Sequence, residues 1–242
     1  MGQSETSLGG LLALCLAVAI PIAAGQAESA VPFELSQKFV TEHKVKSLVG
    51  PSVQVDEQGQ VSLAWMEEHK DVRSVLYARS AEAGGPMGVP VRINRPEDVP
   101  YWRQEAPALV VQGEDVFVTW GLAHPKATPQ QPFATELRLS RSIDGGKTFQ
   151  PSVAVNDDPG VIQHTFDALH RDADGRLHLS WIDGREGKKE PGTYVARSLD
   201  RGATITRNLK VDEGTCVCCR TAVTSGPEGM VYVAWRKIFE GN

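Results

Sequence analysis

Three cysteines fall within four positions in Cys216-Val217-Cys218-Cys219-Arg220. Thiolates are soft ligands, so three this close could hold a soft ion such as Cu(I) or Zn²⁺. Cys216 and Cys219 also have the C-x-x-C spacing of a disulfide or redox pair. A third reading is a structural disulfide plus one thiol that pairs elsewhere. A second group of residue types could do acid–base work or hold an anion. Glu105 and Asp167 could act as general acid, general base or orienting groups. Arg103, Arg220 and Arg185 carry planar guanidinium forks that match a carboxylate. His164 is either a member of such a site or a polar strand start. Each has an ordinary alternative: 15 of the 25 basic residues are Arg, and acids are common at solvated strand ends.

These residues need strands to position them. Trp65, Trp120, Trp181 and Trp235 are spaced by 55, 61 and 54 residues, and each closes a run with large apolar residues two and four positions earlier. The runs are Val61/Leu63/Trp65, Val116/Val118/Trp120, Leu177/Leu179/Trp181 and Val231/Val233/Trp235. A period of two with one apolar face means a β-strand. Turn glycines precede each: Gly59, Gly113, Gly175 and Gly229. After the first three Trp strands comes a second strand ending in Arg-Ser (79/80, 141/142, 197/198), then a turn and a short strand near 91–94, 153–156 and 209–212. One apolar stretch precedes each Trp strand, so the unit has four antiparallel strands. A recurring four-stranded unit of this length predicts an all-β propeller, with blades at about 50–98, 104–157 and 163–214 and a partial one at 215–242. In that architecture the starts of the innermost strands and the loops after the Trp strands converge. Arg103, Glu105, His164, Asp167, Arg185 and Arg220 all fall there. His178 sits three residues before Trp181 and reads as structural, as do the repeated Arg79, Arg141 and Arg197.

The turn between third and fourth strands carries a motif. Ser142-Ile143-Asp144-Gly145-Gly146-Lys147-Thr148-Phe149 matches S-x-D-x-G-x-T-[WF], and Ser198 to Ile205 matches all but the aromatic. Ser80-Ala81-Glu82-Ala83-Gly84 is a decayed copy. The Asp can accept turn N–H groups and Gly can supply a positive φ, so Asp144 and Asp200 read as structural. These turns at blade spacing resemble the Asp-box (BNR) repeats of the sialidase, or neuraminidase, superfamily over about residues 50–242. The resemblance implies a propeller of six blades and an exo-α-sialidase type of glycoside hydrolase. It also implies a site opposite the Asp-box turns, with an arginine triad, an Asp acid/base and a Tyr nucleophile paired with Glu. Glu105 and Asp167 are then the catalytic candidates, and Arg103, Arg185, Arg220 and His164 the substrate-binding ones. The family's N-terminal Arg-Ile-Pro is absent, since Arg92-Ile93-Asn94 falls at the end of a blade. No cofactor is implied beyond a soft metal at Cys216, Cys218 and Cys219. About three and a half blades are expected, so a second chain or further blades would close the ring. The alternatives are a non-catalytic propeller that binds glycans or proteins, and a metal- or thiol-handling propeller built on the cysteines.

Composition narrows the partners. The 242 residues carry 25 Lys and Arg against 30 Asp and Glu, a net charge of −5, with no basic run, which speaks against nucleic acid. Leu8 to Gly25 is an uncharged apolar run, followed by the small-x-small site Gly25-Gln26-Ala27. It predicts a signal peptide over 1–27, although Glu5 stands in an n-region without Lys or Arg. A lead-in over 28–49 follows. The expected location is the periplasm or the exterior, with no stable membrane span after cleavage.

Overall fold

The computed structural model describes residues 45–101, 105–187 and 191–239. The expected signal peptide, most of the lead-in and Arg103 lie outside the described residues. The first sheet comprises β1 (Ser47–Val55), β2 (Val61–His69), β3 (Val72–Arg79) and β4 (Val91–Arg92). The second comprises β5 (Ala108–Gln112), β6 (Asp115–Ala123), β7 (Thr135–Ser142) and β8 (Val153–Ala154). The third comprises β9 (His164–Arg171), β10 (Leu177–Asp183), β11 (Gly192–Ser198) and β12 (Leu209–Asp212). A hairpin of β13 (Ala222–Ser225) and β14 (Val231–Ala234) follows. Within each sheet the strands lie in chain order and every pair is antiparallel. The first strands of successive sheets touch, β1 to β5, β5 to β9 and β9 to β13. The sheets therefore radiate from a shared inner edge as propeller blades, as the repeat predicts. Among the described residues no helix is long and apolar enough to cross a membrane.

The first three Trp strands are buried on both faces, where the alternation predicts one. All seven residues of β10 are buried, including Ser180 and His178. Blades stack face to face, so the second sheet is sandwiched between the first and the third. Ala64, Met66 and Tyr77 of the first blade pack on Val116, Val118 and Trp120 of the second. Phe117, Leu137 and Leu139 of the second pack on Leu177, Leu179 and Trp181 of the third. His178 is structural as expected: its Nε2 lies 2.9 Å from the Asp172 carboxylate.

The Ser-x-Asp turns close as the motif predicts. Asp144 Oδ1 accepts from Thr148 N at 2.9 Å and Oδ2 from the Thr148 hydroxyl at 2.6 Å. Gly146 N donates to Ser142 Oγ at 2.9 Å. Asp200 repeats the pattern with Thr204, and these bonds hold its pKa down to about 2. The motif's aromatic reaches further than its own blade. Phe149 packs edge-on against Tyr77 of the preceding blade, ring centroids 5.5 Å apart. Arginines run the other way. Arg79 donates to Gly113 O at 2.9 Å and Arg141 to Arg201 O at 3.1 Å, each on the following blade. Arg197, the third copy, is exposed.

Gly146 shows how tight this joint is. Its φ is +86° and an added Cβ would stand 2.0 Å from Tyr77 Cε1. Gly146→Ala is expected to cost about 1–3 kcal/mol in urea unfolding, through the turn and the clash together. Adding Tyr77→Ala should return less than it removes on its own. Unchanged stability of Gly146→Ala would mean that the joint yields freely.

Candidate functional site

Strand register places the candidate residues at the end of the blades away from the Ser-x-Asp turns. In the third sheet Asp183 pairs with His164 and Gly192, whereas Leu177 pairs with Arg171 and Ser198. Two buried hydrogen-bonded groups form toward the Asp183 end.

The first group is built on a β-bulge. Ser180 pairs with Ala168 and Ile182 with Thr165, so Phe166 and Asp167 together oppose Trp181. Phe166 takes φ +55°, a costly conformation for an aromatic residue. The bulge releases backbone groups from the ladder. Phe166 N donates to Glu105 Oε2 at 3.1 Å, and Phe166 O accepts from the Thr221 hydroxyl at 3.1 Å. Arg220 donates to Asp167 O at 2.7 Å and to Ala106 O at 3.1 Å. One irregular residue thus ties together the starts of three blades. The carboxyls of Glu105 and Asp167 are 6% and 2% exposed as whole residues, and the Thr119 hydroxyl donates to Asp167 Oδ2. Burial, then the neighbouring Asp167 charge, push Glu105 up to about 8. Burial pushes Asp167 up as well, against Arg220 and the Thr119 bond. Glu105 is therefore a neutral acid at pH 7, which is the form needed to give up a proton.

The second group holds His164 and Arg185. His164 Nδ1 lies 2.6 Å from Thr135 O, and Nε2 lies 2.6 Å from Asp158 Oδ2 and 3.7 Å from Asp183 Oδ2. A carbonyl and a carboxylate both accept, so the ring is best satisfied as an imidazolium. Burial pulls its pKa down, but Asp158 and Asp183 outweigh that and the value rises. Arg185 grips Asp183 with two bonds, 3.0 and 2.9 Å, and reaches Asp157 at 2.8 Å and Asn208 at 3.0 Å. Its carbon also sits 4.3 Å from the Tyr194 ring centroid. Asp158, His164 and Asp183 have the donor types of a metal site. The guanidinium already lies 2.9 Å from Asp183 and 3.3 Å from Asp158, so a protein cation fills that role. Tyr194 donates to Glu186 Oε1 at 2.6 Å. Burial and Glu186 push the phenol's pKa up, so the hydroxyl holds its proton in the resting protein.

The sequence-predicted residues thus separate. Glu105, Asp167 and Arg220 come together; His164 and Arg185 join carboxylates of their own blade and its neighbouring loop. Cys216 and Cys219 form a disulfide, and Cys218 is a free, exposed thiol. Beside this loop is a cavity of about 280 Å³, lined mainly by apolar groups of Pro132, Phe133, Ile162, Gln163, Gly184 and Val217. Sequence reasoning missed Thr119, Asp158, Thr221 and the bulge at Phe166. One signal was readable: an acid two positions after Trp accepts the indole N–H, Trp65 to Glu67 at 3.3 Å and Trp181 to Asp183 at 2.9 Å. The second blade has Leu122 there, and Trp120 Nε1 is buried without a partner.

Known structures share this fold. An endo-arabinase from Bacteroides thetaiotaomicron superposes with a TM-score of 0.53 at 15% identity, over 82% of this chain and 74% of that one. The fold is a β-propeller. An α-L-arabinofuranosidase from Fusarium graminearum gives 0.56 at 9% identity, over 83% and 63%. The NanB sialidase from Streptococcus pneumoniae gives 0.51 at 12% identity, over 87% of this chain but 31% of the sialidase. The propeller therefore spans less than a third of that enzyme's length. No family model and no curated protein matches the sequence.

Proposed function

We propose that this propeller is a glycoside hydrolase in which Glu105 is the general acid and Asp167 its partner carboxyl. The observation that carries the reading is a buried carboxyl pushed up to about 8 beside a second buried carboxyl, at the inner ends of adjacent blades. Most glycosidases use two such carboxyl groups. Glu105 Oε2 accepts the Phe166 N–H, so the proton sits on Oε1, free to pass to the glycosidic oxygen. Arg220 fixes the bulge that aims the pair and lowers the cost of charge on it.

The resemblance in the sequence favours an exo-acting sialidase, with Arg103 and Arg220 left to meet the sialoside carboxylate. A neutral furanoside is the second reading. It is favoured by Arg185 being committed to carboxylates and by Arg220 donating to two backbone carbonyls. Export on residues 1–27 belongs to the same proposal.

The test is a panel of fluorogenic sialosides and arabinofuranosides, with wild type beside Glu105→Gln and Asp167→Asn. Wild type should cleave one class, with activity falling above about pH 8 as Glu105 loses its proton. Glu105→Gln should lower kcat by about 10²–10⁴. No cleavage together with binding on a glycan array would favour the non-catalytic glycan propeller. Full activity in Glu105→Gln would remove Glu105 from the chemistry.

A further inference from the structure

We infer that the Cys216–Cys219 loop, once its disulfide is reduced, is a three-thiolate site for Cu(I). This site is separate from the Glu105 and Asp167 pair and does not depend on the hydrolase reading.

Sulfur placement comes first. The sulfurs of Cys216, Cys218 and Cys219 all lie within 4.8 Å of one another, with Cys216 and Cys218 at 3.6 Å. A metal–thiolate bond of about 2.3 Å sets sulfurs about 4 Å apart around a trigonal ion. The Cys216–Cys218 edge is thus near the required length, and the Cys216–Cys219 edge reaches it by local opening once the disulfide is reduced. The loop is anchored at both ends. Thr215 N donates to Pro191 O at 2.9 Å, Cys216 N to Arg236 O at 2.9 Å, and the Thr215 and Thr193 hydroxyls meet at 2.8 Å. Arg220 holds the far end through its bonds to Asp167 and Ala106. Opening the disulfide therefore leaves the backbone frame in place.

The donor set then selects the ion. Structural zinc takes four protein ligands, and among the described residues no imidazole or carboxylate completes the group. Soft thiolates alone suit Cu(I). Charge is also addressed: three thiolates and one Cu(I) sum to −2, and Arg236 Nη1 lies 3.6 Å from Cys219 Sγ. Cys218 is exposed, so the ion has an entry path, while Cys216 is buried.

Loading requires a dithiol reductant. The reductant gives two electrons and two protons to the Cys216–Cys219 bond and becomes a disulfide itself. Cu(I) then displaces three protons from the three thiols. No change in the copper oxidation state is needed.

The experiment uses the full chain, reduced with a dithiol and desalted without oxygen, then titrated with Cu(I) against a chromophoric chelator. The expected result is one Cu(I) per chain, a near-ultraviolet thiolate-to-copper band that saturates at that ratio, and no uptake before reduction. Cys15→Ser should bind as the parent does. Cys218→Ser alters an exposed side chain, so it should stay folded, and it should weaken binding by more than about a hundredfold. Loss of the Arg236 contact with Cys219 Sγ in Arg236→Gln should weaken it by about tenfold. Parent-like binding by Cys218→Ser, failure of the reduced chain to take Cu(I) from the chelator, or tighter binding of Zn²⁺ than of Cu(I) would each overturn the assignment.

Discussion

Glu105→Gln is expected to make the protein more stable in alkali while removing its acid. In the unfolded chain this carboxyl titrates near 4.5, and in the folded chain near 8. Between those values the folded chain holds a proton that the unfolded chain has released, so stability falls as pH rises. One such group contributes a slope of about 1.4 kcal/mol per pH unit. The stabilisation is whole below pH 4.5 and is lost as pH climbs through about 8. Glutamine is neutral at every pH, and its amide oxygen can still accept the Phe166 N–H. Urea curves should therefore coincide at pH 4.5 and separate by about 3–5 kcal/mol at pH 8.5, with the variant ahead. Coincidence at pH 8.5 would show that Glu105 is charged at neutrality and unfit as the acid. Asp167→Asn should bring the Glu105 value down, because the Asp167 charge helps to raise it.

A change of similar size and opposite sign is expected from Asp183→Ala. This fully buried carboxylate accepts from the Trp181 indole and from two Arg185 nitrogens, and it lies 3.7 Å from His164. Removing it leaves an indole N–H unpaired and two cations facing each other across Asp158. Breaking one partner of a buried ion pair typically costs about 3–5 kcal/mol. Adding Arg185→Leu should restore part of the loss, because one of the stranded cations goes with it. Urea unfolding followed by near-ultraviolet circular dichroism would read both. A cost under about 1 kcal/mol for Asp183→Ala would mean that solvent reaches this network.

The blade repeat was open to reading because stacking is a periodic demand. Trp65, Trp120 and Trp181 must recur wherever a sheet fills the gap beside its neighbour, and Ser142 and Ser198 must recur wherever the turn closes. The convergence of Glu105, Asp167 and Arg220 followed from the same topology. What the sequence concealed is local and aperiodic. Phe166 is a good strand former, and nothing in its neighbours marks it as the bulged residue with φ +55°. Arg185 looked free for an anion because two of the three carboxylates that claim it, Asp157 and Asp158, sit on a different connection 28 and 27 positions away. Nothing in the turn motif itself says that the Phe149 ring meets Tyr77 on the blade before.

The arginine contacts between blades have a consequence for how the chain matures. Arg79 and Arg141 each end on carbonyls of the blade that follows in sequence. On the ribosome those carbonyls are made 34 and 60 residues after the arginine. Each blade can form its ladder alone but closes its outer joint only after the next has been synthesised. Native structure should therefore trail translation by about one blade, with the newest blade the one open to proteases and to chaperones at any moment.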